Sequence, residues 1–135
     1  MLAMHTAKTL ASGSNWLGYP TRPVGVALVQ VEMTQRILQR RVQKYIANNP
    51  SVNGTKPLYW VSPEGLKLDN VVHFRTLEHE LVKRKVEVLI TDPIYRTITG
   101  DMTKGDQVSR WIDNMESLRV RHEIAQIVIG HTRKL

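Results

Sequence analysis

Residues 86–134 read as an apolar strand, a loop, a helix and a second apolar strand, and each strand runs into a polar residue. Val86-Glu87-Val88-Leu89-Ile90-Thr91 meets Asp92-Pro93, and Ile124-Ala125-Gln126-Ile127-Val128-Ile129-Gly130 meets His131-Thr132-Arg133-Lys134. A nearly all-apolar strand is covered on both faces, which implies a parallel sheet between helix layers. In open α/β sheets, ligands bind beyond the carboxyl ends of the strands. An Asp and a His-x-Arg-Lys cluster at two such ends suit a polyanion and its metal ion. The pattern has a third instance upstream, where residues 24–31 run into Glu32.

The rest of the chain alternates in the same way. Residues 1–11 are helical in composition and stop at Ser12-Gly13, a C-terminal helix signal. A loop over 14–23 leads to the strand at 24–31. A helix is expected over 34–48, with Leu38, Val42, Tyr45 and Ile46 on one face, then a loop over 49–56 and a short strand over 58–61. Asp69 is a candidate cap for a helix reaching about Lys85, with Val71, Phe74, Leu77, Leu81 and Val82 inward. A strand over 86–91 and a loop over 93–104 follow. Asp106 is a candidate cap for a helix over 107–123, whose Val108, Trp111, Ile112, Met115 and Leu118 follow a 3.6-residue period. The last strand is expected over 124–130. Strand–helix–strand alternation implies right-handed crossovers and a three-layer α/β domain.

At 135 residues the chain is at most one domain, large enough to bury a core. A net charge of +7 favours an anionic partner such as nucleic acid or phosphate. Without cysteine, disulfides and thiolate metal sites are excluded, and the chain suits a reducing, cytoplasmic setting. No apolar run approaches the roughly 20 residues that span a bilayer. His79-Glu80 and His122-Glu123 lack the second His of HExxH, so no zinc site is supported.

Four segments carry a family resemblance. "LAMHTAKTLASGSNWLG" resembles the helix and loop that follow the phosphate-binding loop of RecA-like P-loop ATPases, of the plasmid RepA and hexameric replicative helicase type. "VALVQVEM" resembles the strand ending in that family's catalytic glutamate, "VEVLITDPIYRTITGD" its Walker B strand and following loop, and "AQIVIGHTRK" its sensor strand. Their order and spacing extend the resemblance over essentially all of residues 1–135.

The resemblance implies an ATPase that couples hydrolysis to DNA translocation, unwinding or replication initiation in a homo-oligomeric ring. It implies ATP and Mg²⁺ as ligands and single-stranded DNA as a partner. Asp92 would hold the Mg²⁺ through a water, and Glu32 would activate the attacking water. His131 would sense the γ-phosphate, and Arg133 and Lys134 would contact a phosphate in a neighbouring subunit, as arginine fingers do. Tyr95, Arg96 and Lys104 would meet DNA.

Each residue has a plainer reading. Asp92-Pro93 makes a turn after a buried strand. Glu32 suits a helix start, where the dipole favours it. His131 is a strand-end histidine, and Arg133 and Lys134 form a solvated basic end. Tyr95 packs on the domain, and Arg36, Arg40, Arg41 and Lys44 form the solvated face of a helix.

One family element is missing. None of the eight glycines precedes Lys-Ser or Lys-Thr in the Walker A pattern G-x-x-x-x-G-K-[ST]. By motif alignment Met1 falls just after the P-loop Ser/Thr. The expectation is therefore a partial RecA-like domain with the first strand and the C-terminal strands lacking. Residues 124–130 should then form an exposed sheet edge, and nucleotide binding should be weak or absent. The alternatives are a non-catalytic nucleic-acid-binding or assembly module, or a non-functional remnant.

Overall fold

The structure is a computed structural model describing residues 2–50, 56–103 and 105–131. Helix α1, Leu2–Ser12, presents Ala3, Met4, Ala7 and Ala11 to the sheet. Small side chains at this spacing let the helix lie close over the strands. It ends at Gly13, whose φ is +69° and where a Cβ would stand 2.6 Å from the Pro23 ring, so conformation and space both call for glycine. Strand β1, Val26–Gln30, is buried throughout. Helix α2, Gln35–Asn48, is capped by Thr34, whose hydroxyl accepts from the Ile37 N–H. Strand β2 is Leu58–Val61, helix α3 Val71–Lys83 and strand β3 Val88–Asp92. A 3-10 turn, Ile94–Thr97, leads to helix α4, Gly105–His122, and strand β4, Ala125–Val128.

The four strands form one parallel sheet in the order β2-β1-β3-β4. Alternate residues face opposite layers, as the two-residue strand period requires. Val26 and Leu28 of β1 and Ile90 of β3 pack with α1 and Tyr45 of α2. Ala27, Val29 and Leu89 pack on the other side with Phe74 and Leu81 of α3 and Trp111, Met115 and Leu118 of α4. The protein is thus a three-layer α/β domain with a RecA-like core, as the alternation of apolar runs implies. Among the described residues β4 has a strand neighbour on one side only, and Val128 is 40% exposed there.

The expected boundaries and faces need correction. Three ladders are shorter than their apolar runs at 24–31, 86–91 and 124–130. Val24, Val86 and Ile124 are buried, yet they reach the core before the strand pairing begins. Asn70, not Asp69, caps α3: its Oδ1 accepts from Val72 and His73 N–H at 2.9 and 3.2 Å. Asp69 instead accepts from the Thr99 N–H and hydroxyl at 2.9 and 3.1 Å. Asp106 lies inside the first turn of α4 rather than capping it. Ile46, Val71, Val82 and Ile112 are exposed, because each helix meets the sheet along a narrower stripe than its apolar residues span.

Glu78 joins α3 to α4. Its carboxylate receives Arg75 at 2.7 Å and Arg121 at 2.9 Å, and faces His122 Nε2 at 3.0 Å. Burial alone would raise its pKa. Hydrogen bonds with Arg75 and His122 and the charge of Arg121 outweigh it, leaving the carboxyl below its ordinary 4.5. Glu78→Ala should lower stability by about 1–3 kcal/mol, because it strips the acceptor from three donors. A depressed acid pKa contributes stability that is complete above the unfolded value and is lost as pH falls through the folded one. The deficit of the variant in denaturant melts should therefore be full at neutral pH and fade below pH 4.5.

Candidate active site

The strand order places the candidate residues. From β1 the chain crosses through α2 to β2 on one side, then returns through α3 to β3 on the other. The crossovers diverge between β1 and β3, the switch point where open α/β sheets bind ligands. Asp92 is the last residue of β3 and stands in register with Gln30, the last of β1. Glu32 follows β1 by two residues, and His131 follows β4 by three.

Backbone bonds lock these ends together. Val31 N–H donates to the Asp92 carbonyl at 3.1 Å, Ile129 N–H to Thr91 at 2.9 Å, and Ile94 N–H to Ile129 at 2.9 Å. The turn carrying Tyr95 and Arg96 is pinned from outside the strand. Leu68 N–H reaches the Thr97 carbonyl at 2.7 Å, Trp111 Nε1 the Thr97 hydroxyl at 3.0 Å, and Lys67 Nζ the Arg96 and Ile98 carbonyls at 2.8 and 3.0 Å.

The side chains then converge. The imidazole of His131 lies between the two carboxylates, Nε2 3.6 Å from Asp92 Oδ1 and Nδ1 4.0 Å from Glu32 Oε1. The Tyr95 hydroxyl donates to Glu32 Oε1, and its ring meets His131 edge-on with centroids 6.1 Å apart. The Arg96 guanidinium lies 5.8 Å over the Tyr95 ring. Asp92 Oδ1 is buried without a hydrogen-bond partner among the described residues. Burial raises the Asp92 pKa; His131 opposes this and the Glu32 charge adds to it. The Tyr95 phenol is also raised, first by its hydrogen bond to Glu32. Glu32 lies two residues before the Thr34 cap, so the first turn of α2 itself holds no acidic residue.

Five sequence candidates thus meet at one end of the sheet: Glu32, Asp92, Tyr95, Arg96 and His131. Lys104, Arg133 and Lys134 lie outside the described residues. Arg36, Arg40, Arg41 and Lys44 are exposed along α2, as expected for a solvated face. Sequence reasoning missed two neighbours. Gln30, a lone polar residue in an apolar strand, was the available signal for one; nothing local pointed to Lys67. A cavity of about 410 Å³ lies elsewhere, between β1, β2 and α3, lined by apolar side chains such as Tyr59, Leu66 and Leu77. Glu80 and Arg84, which also line it, pair with each other at 3.0 Å.

The raised Asp92 pKa has a measurable consequence. Its protonated form is favoured by folding. That contribution is complete below the ordinary value of 3.8 and lost as pH rises through the folded value. At neutral pH the ionised carboxylate opposes folding. Asp92→Asn should therefore stabilise the ligand-free protein by about 0.5–2 kcal/mol at pH 7. The gain in melting temperature should shrink on acidification below 3.8. An unchanged or lower melting temperature at neutral pH would contradict the buried-charge account.

The family model for the AAA domain matches residues 1–135. No curated protein matches the chain. By that match over its whole length the chain belongs to the AAA domain family, a family of P-loop ATPases.

Proposed function

We propose that residues 1–135 form part of a RecA-like domain in which Glu32, Asp92 and His131 make the hydrolytic side of an ATP site. The supporting observation is the meeting of two carboxylates with one imidazole at the switch point of the sheet, each carboxylate within 4.0 Å of a ring nitrogen of His131. Family membership supplies the ATPase class.

The residues fit a magnesium ion in one particular way. The described residues contain no group of three or more acidic or histidine side chains spaced to hold a metal. Asp92 does offer a buried oxygen without a hydrogen-bond partner. That suits Mg²⁺, which keeps most of its waters and takes one or two carboxylates beside substrate phosphates. When bound, the ion neutralises phosphate charge during transfer. Asp92 would hold it through its hydration shell. Glu32, with a side chain 30% exposed, orients the attacking water and accepts its proton. His131 hydrogen-bonds the terminal phosphate from the end of β4. Arg133 and Lys134 serve as further phosphate contacts, and Lys104 joins Tyr95 and Arg96 in contacting single-stranded DNA. In this reading hydrolysis drives DNA translocation, unwinding or replication initiation in a ring of identical subunits.

The Walker A motif is not within residues 1–135. Its amides and lysine grip the phosphates in P-loop enzymes. The polypeptide of these residues alone should therefore bind ATP·Mg²⁺ weakly and not turn it over. Joined to a segment carrying G-x-x-x-x-G-K-[ST], it should hydrolyse ATP. Glu32→Gln should then cut kcat by roughly 10²–10⁴-fold and change KM little. Phosphate release indifferent to Glu32→Gln would remove the general-base assignment.

A non-catalytic nucleic-acid module is the second reading, favoured by the +7 charge and by the guanidinium of Arg96 over the Tyr95 ring. Both readings expect binding to oligo-dT that weakens linearly on a log–log salt plot in fluorescence anisotropy. Arg96→Ala should lower that slope by about 0.7, the value for one phosphate contact on a single strand. Salt-independent binding would count against both. Hydrolysis by the Walker A-bearing form separates them.

A further inference from the structure

Gln30 ends β1 in register with Asp92 and is only 6% exposed. A buried carboxamide at the end of an otherwise apolar strand needs a partner, and it finds two. Its Oε1 accepts hydrogen bonds from the backbone N–H groups of Glu32 at 2.9 Å and Met33 at 3.0 Å. Two successive amides aimed at one oxygen fix both peptide planes. They therefore fix the direction in which the Glu32 side chain leaves the backbone. Gln30 is itself held in the middle of the sheet, since β1 pairs with β2 on one side and β3 on the other. From the far side the Ser62 hydroxyl donates to the Met33 carbonyl, while the Ser62 N–H donates to Gln35 Oε1 at 2.9 Å. The loop between β1 and α2 is thus held from the ends of both β1 and β2.

We propose that Gln30 is a positioning residue that aims the Glu32 carboxylate by holding its backbone. The proposal rests on the reading of Glu32 as general base. Partial exposure of the Glu32 side chain means that core packing does not orient it. Its direction depends on this loop and on the Tyr95 hydroxyl. Displacements of about 1 Å at a reacting group cost on the order of 10²-fold in rate. The backbone clamp therefore acts on the chemical step and leaves ground-state nucleotide binding alone.

The variant is Gln30→Met, which keeps the length and burial but removes the strong acceptor. Hydrogen exchange followed by NMR on the 135-residue chain should show faster exchange at the Glu32 and Met33 amides, by about tenfold or more for loss of one hydrogen bond. The amides of Leu28 and Ile90 should keep their protection. In the Walker A-bearing form, kcat should fall about 10- to 100-fold with KM nearly constant. Gln30→Asn keeps a neutral carboxamide but draws its oxygen back by one methylene, and should likewise speed exchange at the Glu32 and Met33 amides and lower kcat at nearly constant KM; it carries the test if Gln30→Met does not fold. Unchanged exchange at residues 32 and 33, or faster exchange with kcat intact, overturns the proposal while leaving Glu32 as base. If Glu32→Gln itself leaves hydrolysis unaltered, the reading of Glu32 has failed first and the proposal falls with it.

Discussion

The backbone ladder between β1 and β3 runs unbroken from Val26–Val88 to Gln30–Asp92, and the bond from Val31 N–H to the Asp92 carbonyl carries it one step further. This pairing decides where everything else at the carboxyl edge can be. Parallel strands in register end together, so the residue after each strand emerges at one height. The Ile129–Thr91 and Ile94–Ile129 bonds extend the same alignment to β4. At the opposite edge Gly25 lets β1 and β3 start close together. Its carbonyl accepts from Glu87 and Val88 N–H, and a Cβ there would stand 2.7 Å from the Lys85 carbonyl. A side chain at that position would force the strands apart and shift the register on which Glu32 and Asp92 depend.

Bringing those ends together has an electrostatic cost. Asp92 has a side chain 18% exposed, an oxygen without a hydrogen-bond partner among the described residues, and a second carboxylate nearby. Its pKa rises for those reasons, with His131 opposing. Glu78 is the instructive contrast. It is about equally withdrawn from water, yet its pKa falls because Arg75, Arg121 and His122 converge on it. One buried carboxylate is built into the packing of α3 against α4. The other is left partly unsatisfied at the mouth of the sheet, the arrangement expected of a group awaiting a ligand.

Periodicity revealed the fold because the apolar runs are long and alternate with helices whose inward residues recur every three or four positions. Phe74, Leu81, Trp111, Met115 and Leu118 were all legible in this way, and all are buried. Val71 and Ile112 misled for a physical reason: an apolar residue at the edge of a helical stripe costs little when exposed. Asp69 misled because adjacent Asp and Asn both suit a cap, and only the tertiary bond to Thr99 decides which is free to serve. In the site, Asp92, Glu32 and His131 were legible as strand-end polar residues. The contact of Tyr95 with Glu32 joins residues 63 positions apart and leaves no local trace. Gln30 did leave one, since a polar residue inside a fully buried strand must find a partner.

The exposed bases of α2 and the carboxylates at the strand ends occupy different places, and that separation bears on how charge would act. The arginines and lysine of α2 point into solvent, where screening limits their reach to about a Debye length, roughly 8–10 Å. At the strand ends, Glu32 and Asp92 face each other across His131, with Tyr95 as a neutral donor. A bare polyphosphate approaching these carboxylates would meet repulsion at short range even though the surface as a whole attracts it. Pairing the phosphate with a divalent cation reverses the sign of that local interaction. In the proposed site Asp92 would help hold such a cation, and the burial that opposes ionisation of its carboxyl would strengthen the attraction. Under the proposed ATP-site reading, the exposed bases of α2 would serve the long-range attraction and the strand-end carboxylates the preference for a metal-bound phosphate.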